Sequence, residues 1–173
     1  MGCVVQLREL ERIRRRLRRE RKRVVFTNGT FDILHRGHVE YLAAARSFGD
    51  ALIVGLNSDA SIRRIKGPGR PINRNRDRAA VLAALASVDF VCLFGDDTPE
   101  RLIHRLRPDV LVKGADWKKE AIVGGDFVER NGGSVQRVRL TAGRSTTGMI
   151  RRILAAHGVR NARIPVQPQR RKK

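Results

Sequence analysis

Two histidines, His35 and His38, lie one helical turn apart directly after a glycine-bearing turn, and this arrangement suits phosphate chemistry. Residues 23–26, of which the last three are apolar, indicate a buried parallel strand, and residues 39–45 have the 3.6-residue pattern of a helix packed on a sheet. The turn between them therefore leads into a helix N-terminus, whose unpaired N–H groups and positive dipole end attract anions. Both imidazoles are expected to point at a bound phosphate.

His35 and His38 could instead form a metal-binding pair or be ordinary polar side chains. With no cysteine or third histidine nearby, the ligand count falls short of a zinc site, so no metal ligands are predicted within the protein. Phosphate binding is the favoured interpretation.

A second candidate phosphate turn precedes a helix predicted over residues 146–156. Thr146 and Thr147 open this helix, where their hydroxyls and backbone N–H groups could cap the helix or hold phosphate oxygens. Arg144 and Arg151 flank the turn, and a guanidinium can contact phosphate through two hydrogen bonds. The residues alone leave capping and phosphate binding both open.

Lys66 lies in a basic stretch, residues 63–70, that is predicted to be a loop because it is rich in Gly, Pro and Arg. Its glycines permit close approach and its cations could neutralise phosphates. Most loops of this composition are simply solvated, so a phosphate contact by Lys66 depends on other indications.

Strand and helix patterns alternate from residue 24 onward, which predicts an α/β domain whose parallel sheet carries helices on both faces. The predicted strands cover residues 24–27, 51–56, 90–94, 110–112 and 134–138. The predicted helices cover residues 39–47, 76–86, 99–106, 122–130 and 146–156. A short amphipathic helix over residues 7–20 is expected ahead of them.

The loops that follow parallel strands share one edge of a sheet, and ligands collect there near the point where strand order reverses. Such loops carry polar candidates after three of the predicted strands, namely His35 and His38, Asn57 and Asp59, and Lys113 and Asp116. We therefore expect these side chains to converge at one edge.

The net charge of +20 is concentrated at the two ends of the chain. Residues 1–23 hold ten Lys or Arg against three Glu, and residues 160–173 hold six with no acid, which leaves residues 24–159 at only +7. With one Tyr and one Trp there is no basic surface with aromatic rings for stacking bases, so specific nucleic-acid binding is not predicted. We expect a basic N-terminal helix (1–23), one catalytic domain (24–159) and a basic disordered tail (160–173).

The composition also bounds the cellular setting. At 173 residues the chain can bury a core as one domain without disulfides, and Cys3 and Cys92 are expected to be free thiols in a reducing cytoplasm. No apolar stretch approaches the roughly 20 residues of a membrane span, and the N-terminus is too basic for a signal peptide. A cytoplasmic protein with no membrane partner is predicted.

The segment Gly29-Thr30-Phe31-Asp32-Ile33-Leu34-His35-Arg36-Gly37-His38 resembles the signature of the cytidylyltransferase-like nucleotidyltransferases, whose His-x-Gly-His motif binds a nucleoside triphosphate. Residues 143–151 are similar to the Ser/Thr-rich start of the helix that closes over the triphosphate in that family. Four intervening runs look like the adenylyltransferases that make ADP-heptose: residues 55–59, 65–71, 96–99 and 107–116. The resemblance covers roughly residues 24–154.

This resemblance implies a Rossmann-like, doubly wound parallel sheet of five strands with helices on both faces. It implies transfer of AMP from ATP, carried with Mg²⁺, to a heptose 1-phosphate, for precursors of lipopolysaccharide or another surface glycan. It further implies a homodimer, and a separate sugar kinase upstream, because only a short basic helix precedes residue 24. The anomer and the exact sugar are left open.

The resemblance also implies roles for individual residues. The catalytic set is His35, His38 and Lys66, with Lys66 on a flexible flap. The nucleotide-binding set is Thr27, Asn28, Gly29, Thr30, Phe31, Gly37, Lys113, Gly114, Asp116, Arg144, Ser145, Thr146 and Thr147. The substrate-binding set is Asp32, Asn57, Asp59 and Arg70, although Asp32 could instead hold a turn. Ala115 stands where the heptose enzymes commonly have Gly.

Two alternatives remain beside the heptose adenylyltransferase. One is a cytidylyltransferase that acts on glycerol 3-phosphate or a similar alcohol phosphate. The other is a nucleotide-binding or RNA-binding module that keeps the fold without turnover.

Overall fold

The protein is described here by a computed structural model that covers residues 1–141 and 143–158. One fully parallel sheet runs through it in the order β1-β4-β3-β2-β5-β6. Its strands are β1 (Cys3–Val4), β2 (Val24–Gly29), β3 (Ala51–Asn57), β4 (Phe90–Phe94), β5 (Val110–Gly114) and β6 (Ser134–Val138). The five predicted strands are confirmed, and the two-residue β1 is a sixth at the edge. The tail predicted for residues 160–173 lies outside the described residues.

Seven α-helices and one short 3₁₀ turn (Lys119–Ala121) are present in the described part of the chain. The helices are α1 (Leu7–Arg19), α2 (Arg36–Arg46), α3 (Asp59–Lys66), α4 (Asn75–Ala83), α5 (Glu100–Leu106), α6 (Gly125–Arg130) and α7 (Thr146–Ala156). None of these helices is long and apolar enough to cross a membrane.

The prediction that residues 63–70 form a loop is wrong for its first half, because α3 runs to Lys66. The Ser58 side chain caps this helix by accepting a hydrogen bond from the backbone N–H of Ser61 at 3.2 Å. Ile62 anchors the helix in the core, and Gly67 ends it with a φ of 85°, a conformation that glycine adopts without strain. Lys66 therefore sits at the end of a packed helix.

The sheet is buried on both faces, as its continuous apolar strands require. On one face Val25, Leu52 and Val54 pack with residues of α2 and α4. On the other face Val24 and Phe26 pack with residues of α1, α5 and α6. The chain builds outward from β2 through β3 to β4, and then places β5 and β6 on the opposite side of β2. Strand order therefore reverses between β2 and β5, which confirms the doubly wound arrangement.

The N-terminal segment is attached to this core. The backbone of Gly2 donates to the Ala83 carbonyl at 2.9 Å, and a side chain at Gly2 would collide with the carbonyl oxygen of Val88. The helix predicted over residues 7–20 is confirmed as α1, and its Leu10 is fully buried. The apolar face of α1 is thus used for packing, which leaves most of its arginines on the outside.

Candidate active site

The crevice between the carboxyl ends of β2 and β5, called the β2–β5 crevice below, is where an α/β sheet of this order takes its ligands. Asn28 lies near the end of β2 and Lys113 near the end of β5. The Lys113 ammonium donates to Asn28 Oδ1 across the crevice and lies 5.7 Å from the ring centroid of Trp117. Burial lowers the pKa of Lys113 to about 8, against a weak opposing effect of Asp116. A cation on β5 is therefore fixed at this edge by Asn28 of β2 and by Trp117 in the loop after β5.

A buried polar network lies beneath the β2–β5 crevice. The Thr27 hydroxyl and the Tyr41 hydroxyl are 2.7 Å apart, and Tyr41 donates to the Val112 carbonyl at 3.2 Å. Burial raises the pKa of Tyr41, so the phenol stays protonated. Thr27 is completely buried, so its side chain supports the crevice from below and does not reach a ligand.

His35 and His38, the histidine pair, form the start of α2. His35 is the N-cap and His38 lies in the first turn. Their rings stack with centroids 3.9 Å apart and an angle of 18° between their planes, and the edge of the Phe31 ring contacts His38 at 5.3 Å. The Nδ1 atoms of both histidines are buried and have no hydrogen-bond partner within residues 1–141 and 143–158. The pair therefore offers polar atoms that the surrounding protein leaves unused.

The environment of the histidine pair favours uncharged imidazoles. Burial is the largest cause, and with the nearby His35 and Lys66 it lowers the pKa of His38 to about 4. Burial and the cation of Arg144 also lower the pKa of His35. These causes describe a partly buried site with excess positive potential, where a bound anion would raise both pKa values again.

The N-terminus of α7 lies beside the N-terminus of α2. A Cβ built on Gly37 would come within 3.3 Å of Arg144 Cβ and 3.2 Å of the His35 ring, so a side chain there would crowd both neighbours. The Thr146 hydroxyl donates to the Ile33 carbonyl at 3.4 Å, which ties α7 to the turn before α2. Two positive helix ends therefore meet at the histidine pair.

Capping of α7 falls to Ser145, not to the two threonines that follow it. The Ser145 hydroxyl accepts a hydrogen bond from the Gly148 N–H at 3.0 Å. Thr146 and Thr147 are half-buried in the first turn of the helix. The question that the sequence left open is thus partly answered, because Ser145 supplies the cap.

Lys66 reaches the same place from α3. Its ammonium donates to the Thr30 hydroxyl at 3.0 Å, and burial followed by the charge of Arg70 lowers the pKa of Lys66. The turn that carries Thr30 is tightly built: Phe31 has a φ of 40°, and a Cβ on Gly29 would approach the Phe31 ring to 2.9 Å. A positive φ at a bulky residue is unusual and is often found at functional turns.

Asp32 does not face the site. Its fully buried carboxylate accepts from Arg70 Nε at 2.6 Å and from the backbone N–H groups of Ile72 and Asn73 at 2.8 and 2.9 Å. The geometry therefore favours the alternative in which Asp32 holds a turn. It does not support a substrate contact by Asp32 or by Arg70, whose side chain is only 6% exposed.

Asn57 and Asp59 are also engaged inside the protein. The Asn57 amide donates to Ser61 Oγ at 3.0 Å, and Asp59 is paired with Arg78 at 2.7 Å. Asn57 is buried, whereas the Asp59 side chain keeps 22% of its surface exposed. Of the predicted substrate-binding residues, Asp59 is the one whose side chain keeps appreciable exposure to solvent.

Gly114 and Asp116 complete the β5 side of the crevice. A side chain on Gly114 would run into the Asp116 carboxylate, and Leu140 lies 3.1 Å from the same point. Asp116 itself is exposed. The backbone of Gly114 is therefore closely covered by Asp116 and Leu140, and Asp116 places an acidic side chain at the rim of the crevice.

Arg78 connects several parts of the site, and no sequence motif points to it. Its side chain is completely buried, and its guanidinium donates to three backbone carbonyls and one carboxylate from different parts of the site: Asn73 O, Thr30 O, Asn57 O and Asp59 Oδ1. Its run, residues 74–78, looks like solvated surface because it carries three arginines. The signal that could have found it is helical spacing, since Arg78 and Leu82 lie one turn apart on the buried face of α4.

The residues present can be weighed against a protein-bound metal. Within the described ranges, no three His, Cys, Asp or Glu side chains come together as ligands for a metal ion. Magnesium in phosphoryl sites is commonly held by substrate phosphates with one or two carboxylates. A metal that arrives with a nucleoside triphosphate is compatible with this arrangement.

Comparison with known proteins identifies close sequence relatives. Residues 26–151 match the family described as cytidylyltransferase-like. The bifunctional protein HldE of Magnetococcus marinus is 59% identical over 134 residues, which are 78% of this chain and 28% of that protein. HldE of Mesorhizobium japonicum is 61% identical over 132 residues, which are 76% of this chain and 27% of that protein. The chain thus spans little more than a quarter of the length of these relatives.

Two solved structures share the fold. The lipopolysaccharide core biosynthesis protein of Thermoplasma volcanium is 28% identical with a TM-score of 0.57, and the match covers 69% of this chain and 97% of that one. Pantoate-beta-alanine ligase of Francisella tularensis is 14% identical with a TM-score of 0.57, over 85% and 69% of the two chains. The second match speaks for the fold alone.

Proposed function

This chain belongs to the cytidylyltransferase-like family and is a nucleotidyltransferase, and on that basis we propose that it transfers AMP from ATP to a heptose 1-phosphate, giving ADP-heptose and pyrophosphate. The observation that carries the proposal is the histidine pair, stacked where the N-termini of α2 and α7 meet and within the electrostatic reach of Lys66. This arrangement gathers positive potential and unused polar atoms at one point.

In the proposed reaction an oxygen of the sugar phosphate attacks the α-phosphorus of ATP. The bond between that phosphorus and the oxygen bridging to the β-phosphate breaks, and pyrophosphate leaves with the electron pair. Charge accumulates on the α-phosphoryl oxygens, so donors that are already in place lower the barrier. His35 and His38 donate hydrogen bonds to these oxygens, and Lys66 neutralises charge on the leaving pyrophosphate.

The remaining nucleotide contacts in the proposal follow from the fold. Asn28, Gly29, Lys113, Gly114 and Asp116 line the β2–β5 crevice, where the nucleoside would lie. The backbone N–H groups at the start of α2 and α7 face the phosphates, together with Arg144 and the hydroxyls of Thr146 and Thr147. These groups mainly align the α-phosphate for attack.

The heptose part of the proposal rests on similarity. The relatives named HldE match this chain at 59% and 61% identity, and the Thermoplasma neighbour is named for lipopolysaccharide core biosynthesis. The heptose-type runs over residues 96–99 and 107–116 lie in the same matched region. They support a sugar 1-phosphate as the acceptor.

The proposal carries further partners with it. ATP enters as its Mg²⁺ complex, in which the metal offsets part of the triphosphate charge. A sugar kinase must supply the heptose 1-phosphate, and the working unit is proposed to be a homodimer in the cytoplasm. Cys92 is buried and Cys3 exposed, both as free thiols, which fits a reducing compartment.

A pyrophosphate-release assay tests the proposal. ATP, CTP, GTP and UTP would each be paired with heptose 1-phosphates of both anomers, glycerol 3-phosphate and phosphoethanolamine. We expect ATP with a heptose 1-phosphate to give the highest kcat/KM, at least roughly tenfold above the other bases, because mismatched bases leave polar groups of the pocket unpaired. Activity should vanish when EDTA removes the metal.

Two other results would contradict the proposed function and support a different one. A clear preference for CTP with glycerol 3-phosphate would identify an alcohol-phosphate cytidylyltransferase. Folded protein that binds nucleotide but releases no pyrophosphate with any pair would identify a binding module.

A further inference from the structure

A second concentration of positive charge lies far from the β2–β5 crevice, in a cleft between α1 and the end of α5. Its volume is about 240 Å³, and we call it the arginine cleft. Five arginines and one acid line it: Arg14, Arg15, Arg18, Arg105, Arg107 and Glu11. Because like charges repel, such a cluster needs either solvent or a bound anion to offset it.

Arg14 fixes the geometry of the arginine cleft. It is 6% exposed, and it donates to the Leu106 carbonyl at 3.1 Å, the Arg107 carbonyl at 2.8 Å and Asp109 Oδ1 at 3.0 Å. These bonds join α1 to the end of α5. The third nitrogen, Nη1, is buried and has no hydrogen-bond partner in the described ranges. This unused donor adds to the positive potential of the arginine cleft.

The two nearby acids do not balance the five arginines. Glu11 is bound to Arg105, and that hydrogen bond is the main cause that lowers the pKa of Glu11 and keeps it ionised. Asp109 is bound to Arg14 and also accepts from the Val24 N–H at 2.7 Å. Each acid is thus committed to one arginine, and the charge of the other three, Arg15, Arg18 and Arg107, is left over.

The arginine cleft lies at the edge of the sheet opposite the histidine pair. Asp109, which binds Arg14 of the cleft, comes directly before β5 and accepts a hydrogen bond from Val24, the first residue of β2. The arginine cleft therefore lies at the amino ends of these two strands. The histidine pair follows the carboxyl end of β2. An anion in the arginine cleft therefore cannot be the reacting triphosphate.

We propose that the arginine cleft binds a compact diphosphate group, either free pyrophosphate or the diphosphate of a nucleotide. Guanidinium groups suit phosphate oxygens because each can donate two parallel hydrogen bonds. Three uncompensated cations match the charge of a diphosphate. A nucleic-acid strand is the poorer fit, because the cleft is small and its lining contains no aromatic ring on which bases could stack. This inference does not depend on the reaction proposed above.

The test is an NMR titration of the full chain with inorganic pyrophosphate at about 150 mM NaCl, where exposed charges are strongly screened. Backbone amides of Arg105 and Arg107 report on the arginine cleft, and those of Gly37 and Lys66 report on the crevice side. The double variant Arg15→Ala, Arg18→Ala removes two cleft charges from helix α1. The matched control Arg12→Ala, Arg16→Ala removes two exposed charges from the same helix but outside the cleft.

We expect saturable chemical-shift changes of the Arg105 and Arg107 amides in the wild type and the control. The affinity for pyrophosphate should be roughly tenfold weaker or more in the cleft variant. Signals of Gly37 and Lys66 should respond alike in all three proteins. Repeating the titration with ADP and AMP separates the sources, because tighter binding of ADP assigns a nucleotide and equal binding assigns the diphosphate alone.

Three results would overturn the proposal. One is an equal loss in the cleft variant and the control, which would mean a diffuse charge effect. Another is a shift that grows linearly with pyrophosphate and never saturates. The third is saturation only with RNA or heparin, which would make the cleft part of a polyanion surface.

Discussion

At the scale of single residues, the histidine pair is held uncharged before any ligand arrives. Burial and neighbouring cations lower the pKa values of both rings, His38 to about 4. A triphosphate placed against them brings the opposite charge and offsets much of the cost of a buried imidazolium. The same side chains that lack partners in the free protein would then become its main phosphate donors, so binding and protonation are linked.

Replacing either His35 or His38 with Ala is expected to lower kcat by roughly 10²-fold or more, the scale of losing one preorganised donor to a developing oxyanion. Steady-state pyrophosphate release at saturating substrates measures the effect. His104→Ala is the matched control, since His104 stacks on Phe127 at the surface of α5, and it should keep full turnover. Near-normal turnover in the His35 or His38 variant would remove that histidine from the proposed chemistry.

Proton uptake on ATP binding is a second expectation at this scale. The pKa of His38 is about 4 in the free protein, and the bound triphosphate raises it, so protons are taken up at pH values between the two pKa values. Binding should therefore strengthen as pH falls toward the free pKa, and the gain is lost above the bound pKa. Calorimetry at a mildly acidic pH in buffers of different ionisation enthalpy measures this uptake. His38→Gln should reduce it, and equal uptake in that variant would contradict the account.

At the scale of secondary-structure elements, the site is held by arginines that tie elements together from inside. Arg78 on α4 binds the turn after β2, the end of β3 and the start of α3 through three acceptors, and the Asn73 carbonyl just before its own helix is a fourth. Arg14 on α1 does the same for α5 and the start of β5. Each such guanidinium is nearly unexposed, so the groups it satisfies would be left unpaired in the core without it.

Arg78→Met is expected to lower the free energy of unfolding by about 3–5 kcal/mol, because it leaves a carboxylate and backbone carbonyls without their donor. Urea unfolding measures this change. Arg76→Met is the control, an exposed position on the same helix where the change should stay within about 0.5 kcal/mol. Since Arg78 also binds the Thr30 carbonyl, the KM for ATP should rise in any folded fraction, and a stable variant with normal KM would refute this positioning role.

Leu10→Ala tests whether α1 belongs to the folding unit. Leu10 is fully buried between α1 and the sheet, so its truncation is expected to cost about 2–5 kcal/mol of stability. Arg12→Ala, on the exposed face of α1, should have almost no effect. Urea unfolding curves of both variants measure the change in stability, and a single transition in each would show that α1 unfolds with the domain. An unchanged midpoint for Leu10→Ala would mean that α1 is dispensable.

The elements that could be predicted from the sequence are those with strong local patterns. The bounds of β4, β6 and α7 agree with the prediction residue for residue, because apolar runs and the start at Thr146 are local signals. The strand β1 could not be predicted, because a strand of two residues shows no periodic pattern. Helix α3 was hidden by its basic, glycine-flanked sequence, although Ser58 and Ile62 supply a cap and a core contact.

Contacts between distant residues account for the rest of what could not be predicted. The sequence leaves Asp32 open between binding the substrate and holding a turn, because its partners lie about forty residues away and only the fold brings Arg70 to it. The sequence likewise does not point to Arg78, because three of its four acceptors lie far from it along the chain. The histidine pair could be placed from sequence because a strand, a turn and a helix follow one another directly there.

At the scale of the whole molecule, the sheet separates two concentrations of positive charge. The carboxyl edge carries the histidine pair, Lys66 and Lys113, which lie close to the carboxyl ends of the strands. The amino edge carries the arginine cleft. Residues 1–23 contribute +7 of the net charge of +20, and α1 turns its apolar face inward and most of its arginines outward.

The central claim is that the histidine pair serves attack at the α-phosphate of ATP. The most direct test uses ATP labelled either at the α-phosphate or at the γ-phosphate, incubated with Mg²⁺ and a heptose 1-phosphate. The account predicts that the α-label appears in the sugar product and the γ-label in pyrophosphate, one for one. Transfer of the γ-label to the sugar, or no labelled sugar product from folded protein that binds ATP, would contradict it.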